Sequence, residues 1–141
     1  MRPNKDIIIH YTKTLWEDRD LSIIDTLIDP HAKIHSPLCT IEGNETMRDI
    51  VEKWLLAFPD LTIQWEDFIS ENDKVVCRWR ACGTHLGGFF ETKPTHKEIV
   101  FSGVMTYRLE NRKIVEYWAL VDMHSILSQL EEYESVAEVL E

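Results

Sequence analysis

At Pro59-Asp60 the hydrophobic repeat of the chain changes. Upstream, apolar residues recur at the roughly 3.6-residue period of a helix; downstream they alternate at the roughly two-residue period of a strand. A chain that makes helices first and a run of antiparallel strands afterwards has to bury helical stripes against one face of a sheet. That is an α+β architecture.

Asn4 to Trp16 puts Ile7, Ile8, Tyr11 and Leu15 on one stripe, with Asn4 placed to cap the helix. Asp20 opens a short second helix carrying Leu21, Ile24, Leu27 and Ile28, which Asp29-Pro30 ends. The segment AKIHSP reads as a short extended piece stopped by Pro37. In the third helix Met47, Ile50, Val51, Trp54, Leu55 and Phe58 form the stripe, with Asn44 or Thr46 as cap. Strands are expected over Leu61–Ile69, Val75–Thr84, Ile99–Leu109 and Lys113–Val121, separated by ENDK, a long loop from His85 to Lys97, and ENRK. MHSILSQLEEYESVAEVLE closes the chain as a helix that turns acidic.

The 141 residues are read as one domain. With 44% hydrophobic and 28% charged residues the composition is that of a soluble globular protein. A net charge of −10 argues against nucleic acid and against anionic membrane surfaces as partners. MRPNKDIII has neither the apolar run nor the cleavage site of a signal peptide, and no stretch has the length of a membrane span, so a cytoplasmic protein is expected. Cys39, Cys77 and Cys82 follow no framework spacing and are read as reduced thiols. Cys77 and Cys82, five apart on one strand, face opposite ways and cannot share a metal. His31 and His35, with Asp29, have a spacing that imitates a metal site, but Pro30 disfavours a helix there, so no metal is expected.

Several landmarks then occur in order. Phe58-Pro59-Asp60 marks the helix-to-strand corner, and Gly83-Thr84-His85 with Gly87 enters the long loop. Pro94-Thr95 leaves that loop, Phe101-Ser102-Gly103 follows, and Lys113-Ile114-Val115-Glu116 leads to Trp118, Asp122 and Gln129-Leu130. In these the chain resembles the SnoaL-like, polyketide-cyclase-type family of the nuclear-transport-factor-2-like group, over about residues 5–130. Residues 131–141 form an acidic extension beyond it. The resemblance implies a cone-shaped α+β barrel, with N-terminal helices packed on a strongly curved antiparallel sheet and a C-terminal helix. It also implies an ester-cyclase type of chemistry with no cofactor, in which an aspartate moves a proton beside a histidine inside an apolar pocket.

Carried onto this sequence, that aspartate falls on Ala119 and the histidine on Met105, and neither side chain moves a proton. The same parity sends Tyr117, Ala119 and Val121 to the pocket from the last strand, and Phe101, Gly103, Met105 and Tyr107 from the one before. Trp54, Phe101, Met105, Tyr107, Tyr117 and Ala119 are therefore the candidate substrate-binding residues. The alternative is that they simply fill a core, with Met105 as gap filler.

His35 and Asp122 are the candidate replacement catalytic groups. His35 sits where the family often has a histidine at the pocket mouth and has the chemistry of a proton carrier; it is equally readable as a rim histidine. Asp122 is the nearest carboxylate to the family position, but parity turns it away and it stands where an N-cap is favoured. His85 is read as holding the long loop. The five tryptophans are read mainly as core or interface, and Arg78 and Arg80, with Glu66, as a polar outer sheet face able to pair across a homodimer. The acidic tail is read as a packed or fraying, solvated helix end, with docking of Val136, Val139 and Leu140 on a partner subunit as the alternative.

Two functions from different classes follow. One is a cofactor-independent cyclase or isomerase acting on a small hydrophobic carbonyl compound, with Tyr107 or Tyr117 as hydrogen-bond donor to its oxygen. The other is a non-catalytic small-molecule-binding or dimeric interaction domain that kept the barrel and lost the chemistry.

Overall fold

The structure, a computed structural model, describes residues 3–38, 40–89 and 92–140; for 40–42 and 132–140 it describes the backbone alone. Cys39 lies outside the described residues, as do the side chains of Val136, Val139 and Leu140. The elements run α1 (Asn4–Trp16), α2 (Ser22–Leu27), β1 (Ile28–His35), β2 (Thr40–Glu42), α3 (Asn44–Ala57), β3 (Thr62–Glu71), β4 (Lys74–Thr84), β5 (Glu98–Glu110), β6 (Lys113–Val121) and α4 (Met123–Leu140).

The chain folds as α+β, with helices packed on one six-stranded sheet of order β2-β1-β6-β5-β4-β3. Neighbours are antiparallel except β1 and β6, which run parallel with His35 opposite Trp118. Of three register shifts in the sheet, two lie between antiparallel strands and bend it, since an extra residue kinks its strand and increases the twist. One lies between Trp65 and Asp67 of β3, the other where Arg108 pairs Glu116 but Leu109 pairs Ile114. The inner faces of β4 and β5 bury Val75, Cys77, Trp79 and Ala81 opposite Phe101, Met105 and Tyr107. α1 packs over β3 and β4, and α3 over β1, closing the concave side. Each fully buried Ile or Leu there, such as Ile8, Leu15, Ile24 and Ile34, contributes about 1.5–3 kcal/mol.

The four long strands stand where the alternation places them, but the first part of the chain differs in three respects. Ile28 belongs to β1, not to the second helix, and β1 runs through Asp29-Pro30. The chain tolerates Pro30 because the register shifts between Ile28 and Lys33, where no ladder donor is needed. Asn4 is already helical behind Pro3, and Gly43, at φ 107°, is the N-cap of α3, so neither Asn4, Asn44 nor Thr46 holds a cap position.

The helix-to-strand corner is held by Asp60. Its Oδ1 accepts the Thr84 N–H at 2.7 Å and its Oδ2 the Thr84 hydroxyl at 2.7 Å, joining the start of β3 to the end of β4. Gly87 fits against α3 only because it lacks a side chain: a Cβ there would stand 2.1 Å from the Leu56 carbonyl oxygen. Gln129 ties α4 down, its amide bonding both the N–H and the C=O of Val100.

Candidate functional site

Alternation along the inner strands leaves a gap in the core between the sheet and the helices. β4 supplies Trp79 and Ala81, β5 supplies Phe101 and Met105, and β6 supplies Tyr117, Ala119 and Val121. Trp16 closes one side from the end of α1, Ile50 and Trp54 another from α3, and Leu61, Ile63 and Ser36 complete the wall. The cavity's volume is about 30 Å³, room for about two or three water molecules. The interior is thus close to a filled core with a small apolar cavity in it.

Five of the six expected binding residues line this cavity: Trp54, Phe101, Met105, Tyr117 and Ala119. Met105 and Ala119 are cross-strand partners facing inward. Tyr107 is fully buried behind them; its hydroxyl donates to Met105 Sδ at 3.1 Å and its ring packs on Tyr117 at 5.1 Å. Trp54 stands in an aromatic wall, 5.7 Å from Phe101 and 5.0 Å from Phe89 of the long loop.

No lining side chain ionises near neutral pH. Tyr117 is the one phenol in the wall, and burial pushes its pKa well above that of a free phenol. Burial does the same to Tyr11 and Tyr107. The neighbouring Cys77 thiol is pushed up to about 12 by burial, so it stays protonated and unreactive.

Beside Ser36 and Tyr117, the wall includes two residues with polar atoms that were read from sequence only as core, Trp16 and Trp79. Their indole N–H groups are buried and unpartnered, on side chains 6% and 4% exposed. Trp79 was partly legible, since it alternates with the outward Arg78 and Arg80. Trp16 continues the buried spacing of Ile8 and Thr12 at intervals of four.

His35 and Asp122 do not line the cavity. His35 faces the outer side of the sheet, where Nε2 is 2.8 Å from Glu116 Oε2 and the ring stacks on Trp118 at 5.5 Å. Arg108 reaches the other Glu116 oxygen at 3.4 Å. The His35 hydrogen bond first, and Arg108 second, hold the Glu116 carboxyl below the usual carboxylate range. This cluster edges an outer groove of about 590 Å³ walled by Pro37, Val104, Trp118 and Leu120. Ser36, Ala119 and Val121 border both the groove and the cavity, so the partition between them is thin. Asp122 caps α4, its Oδ1 accepting the Ser125 N–H at 3.0 Å.

His85 holds the long loop. Its Nδ1 accepts the Thr95 N–H at 3.1 Å and lies 3.0 Å from the Thr95 hydroxyl, while its backbone pairs with Lys97 and His96. On the outer face Arg78 pairs with Asp67 and Arg80 with Glu66. Among the described residues no group of three His, Cys, Asp or Glu is arranged to hold a metal ion, and no helix is long and apolar enough to cross a membrane.

No curated protein matches this sequence. The family model described as SnoaL-like polyketide cyclase matches residues 7–130. Among solved structures, AclR from Streptomyces galilaeus is 27% identical with a TM-score of 0.80, over 92% of this chain and 96% of its own. IdmH from Streptomyces antibioticus is 26% identical with a TM-score of 0.75, over 92% and 99%. A SnoaL-like polyketide cyclase from Agrobacterium tumefaciens is 23% identical with a TM-score of 0.76, over 92% and 99%, a likeness of fold alone.

Proposed function

Since the chain belongs to the SnoaL-like polyketide cyclase family, we propose that it binds a small hydrophobic, polyketide-like carbonyl compound in its interior cavity, and that no side chain in that cavity transfers a proton. The observation that carries this is the facing pair Met105 and Ala119, which stand where the family resemblance expects a histidine and an acid/base aspartate. With Tyr117 held neutral by burial, the wall offers apolar contact and neutral hydrogen-bond donors. Ligand pockets run to about 300–1,000 Å³, so the resting cavity is a closed state. A ligand opens it by displacing Met105, the most pliable wall.

The enzymatic alternative is favoured by one observation, the His35–Glu116 pair beside the thin partition. There His35 would act as base toward a substrate reaching through from the groove. We also take the protein to be a homodimer joined through the outer sheet face. Support for this comes from Leu120, an apolar residue left 74% exposed on that face, and from the charge pairs of Arg78 and Arg80.

Native mass spectrometry of the purified protein tests the binding function and the dimer together. The expected result is a dimer carrying a neutral organic molecule. A bare polypeptide whose melting temperature no apolar ketone raises would contradict the binding function, and a bare monomer would contradict the dimer.

A further inference from the structure

Two buried N–H groups without acceptors are costly in a closed apolar core. Each unsatisfied buried donor costs about 1–3 kcal/mol, and natural cores seldom keep such groups without a reason. Among the described residues four buried side-chain polar atoms lack a partner, Tyr11 Oη, His85 Nε2, Trp16 Nε1 and Trp79 Nε1, and of these the two indole donors belong to side chains of the same cavity wall, brought together from α1 and β4. The other three tryptophans differ. Trp65 donates to Glu17 at 2.8 Å, and neither Trp54 nor Trp118 has a buried, unpartnered indole nitrogen.

The fold also makes room for one of the two. Trp79 pairs across the strands with Gly103, and a Cβ at 103 would lie 2.6 Å from its Cζ2 and 3.1 Å from its Cε2. Cε2 carries Nε1, so the N–H-bearing edge of the ring is the edge that Gly103 accommodates. An apolar cavity with donors and no buried charge suits an uncharged ligand with an acceptor. An anion would have to give up its hydration for neutral donors alone, which is unfavourable in an apolar site.

Resting on the binding function above, we propose that the indole N–H groups of Trp16 and Trp79 form the polar end of the site. They hydrogen-bond the carbonyl oxygen of a flat, uncharged ketone or ester whose hydrocarbon part lies against Phe101 and Met105. Recognition of the carbonyl thus falls to neutral donors at positions distinct from those where the family resemblance places its acid and histidine.

The test compares 1-indanone with indane, the same skeleton without the oxygen, by following the indole N–H signals of the ¹⁵N-labelled protein. Trp16→Phe and Trp79→Phe assign the two signals, and Trp65→Phe serves as a control outside the cavity. With 1-indanone the Trp16 and Trp79 signals are expected to move downfield while that of Trp65 stays in place. Indane should bind about five- to tenfold more weakly, the worth of a neutral hydrogen bond, and each cavity Trp→Phe change should erase part of that difference. If ketone and hydrocarbon bind equally and neither indole signal moves downfield, the carbonyl assignment is wrong while the apolar site stands. If neither compound binds, the site itself is wrong and the assignment falls with it. The wild-type spectra decide between these outcomes even if a Trp→Phe variant does not fold.

Discussion

Trp79 lies across Gly103: the two are cross-strand partners, and the indole fills the space a side chain at 103 would need. A Cβ there would also stand 2.5 Å from the Leu120 carbonyl oxygen, so the backbone of β6 blocks it from the other side. Gly103→Ala is expected to cost about 1–3 kcal/mol, as overpacking does in a dense core, and to alter the near-UV signal of the displaced Trp79. Urea unfolding measures the first effect and circular dichroism the second. A variant as stable as the parent would mean that the ring does not rest where described.

Ala119→Asp puts a carboxyl where the family resemblance expects one, but among apolar neighbours. Desolvation will raise the pKa of that acid in the folded state. A raised carboxyl pKa has a definite sign: the variant is least affected below the ordinary carboxylate pKa, and its stability falls as pH rises above it. Near pH 7 a loss of about 2 kcal/mol or more is expected, against little change near pH 4, by denaturant melts at the two values. Equal stability at both would show the cavity to be wetter than its lining implies.

Asp60 behaves with the opposite sign. The backbone and hydroxyl hydrogen bonds from Thr84 hold its carboxyl below the usual range. Its contribution is therefore present above the ordinary carboxylate pKa and is lost as pH falls through the lower folded value. Asp60→Asn should lower stability at pH 7 on the order of 1 kcal/mol and flatten the acid side of the stability–pH curve. An unchanged acid limb would place the corner's strength elsewhere.

The double variant His35→Ala, Asp122→Ala separates binding from the enzymatic alternative. Neither residue lines the cavity, so ketone affinity should remain within about twofold, while loss of the Asp122 cap should cost about 1 kcal/mol. Calorimetric titration reads the affinity and thermal unfolding reads the stability. A large loss of affinity would move the ligand to the groove side of the partition.

The α+β class and the strands β3 to β6 were legible because alternation over nine or more residues leaves little choice of face. The end of β1 was legible in AKIHSP, but its start was hidden because Asp29-Pro30 reads as a helix stop, whereas a register shift lets the strand carry the proline. Parity within β5 and β6 was enough to direct Met105, Tyr117 and Ala119 to the interior. It could not tell that Tyr107 lies one layer behind Met105, which depends on how tightly the rings pack. The orientation of His35 was beyond local pattern altogether. It follows from the parallel pairing of β1 with β6, which sets His35 beside Trp118 and Glu116 on the outer face. The two indole donors were missed for a similar reason: a tryptophan's spacing shows that it is buried, not whether its N–H finds an acceptor.

Intermolecular nuclear Overhauser effects locate the bound ligand. With the methionine and alanine methyls of the protein labelled, bound 1-indanone should show contacts to the Met105 ε-methyl and the Ala119 methyl, the facing pair inside the cavity. Contacts confined to Val104 and Leu120, read from a valine- and leucine-labelled sample, would place the ligand in the outer groove and contradict binding in the interior cavity.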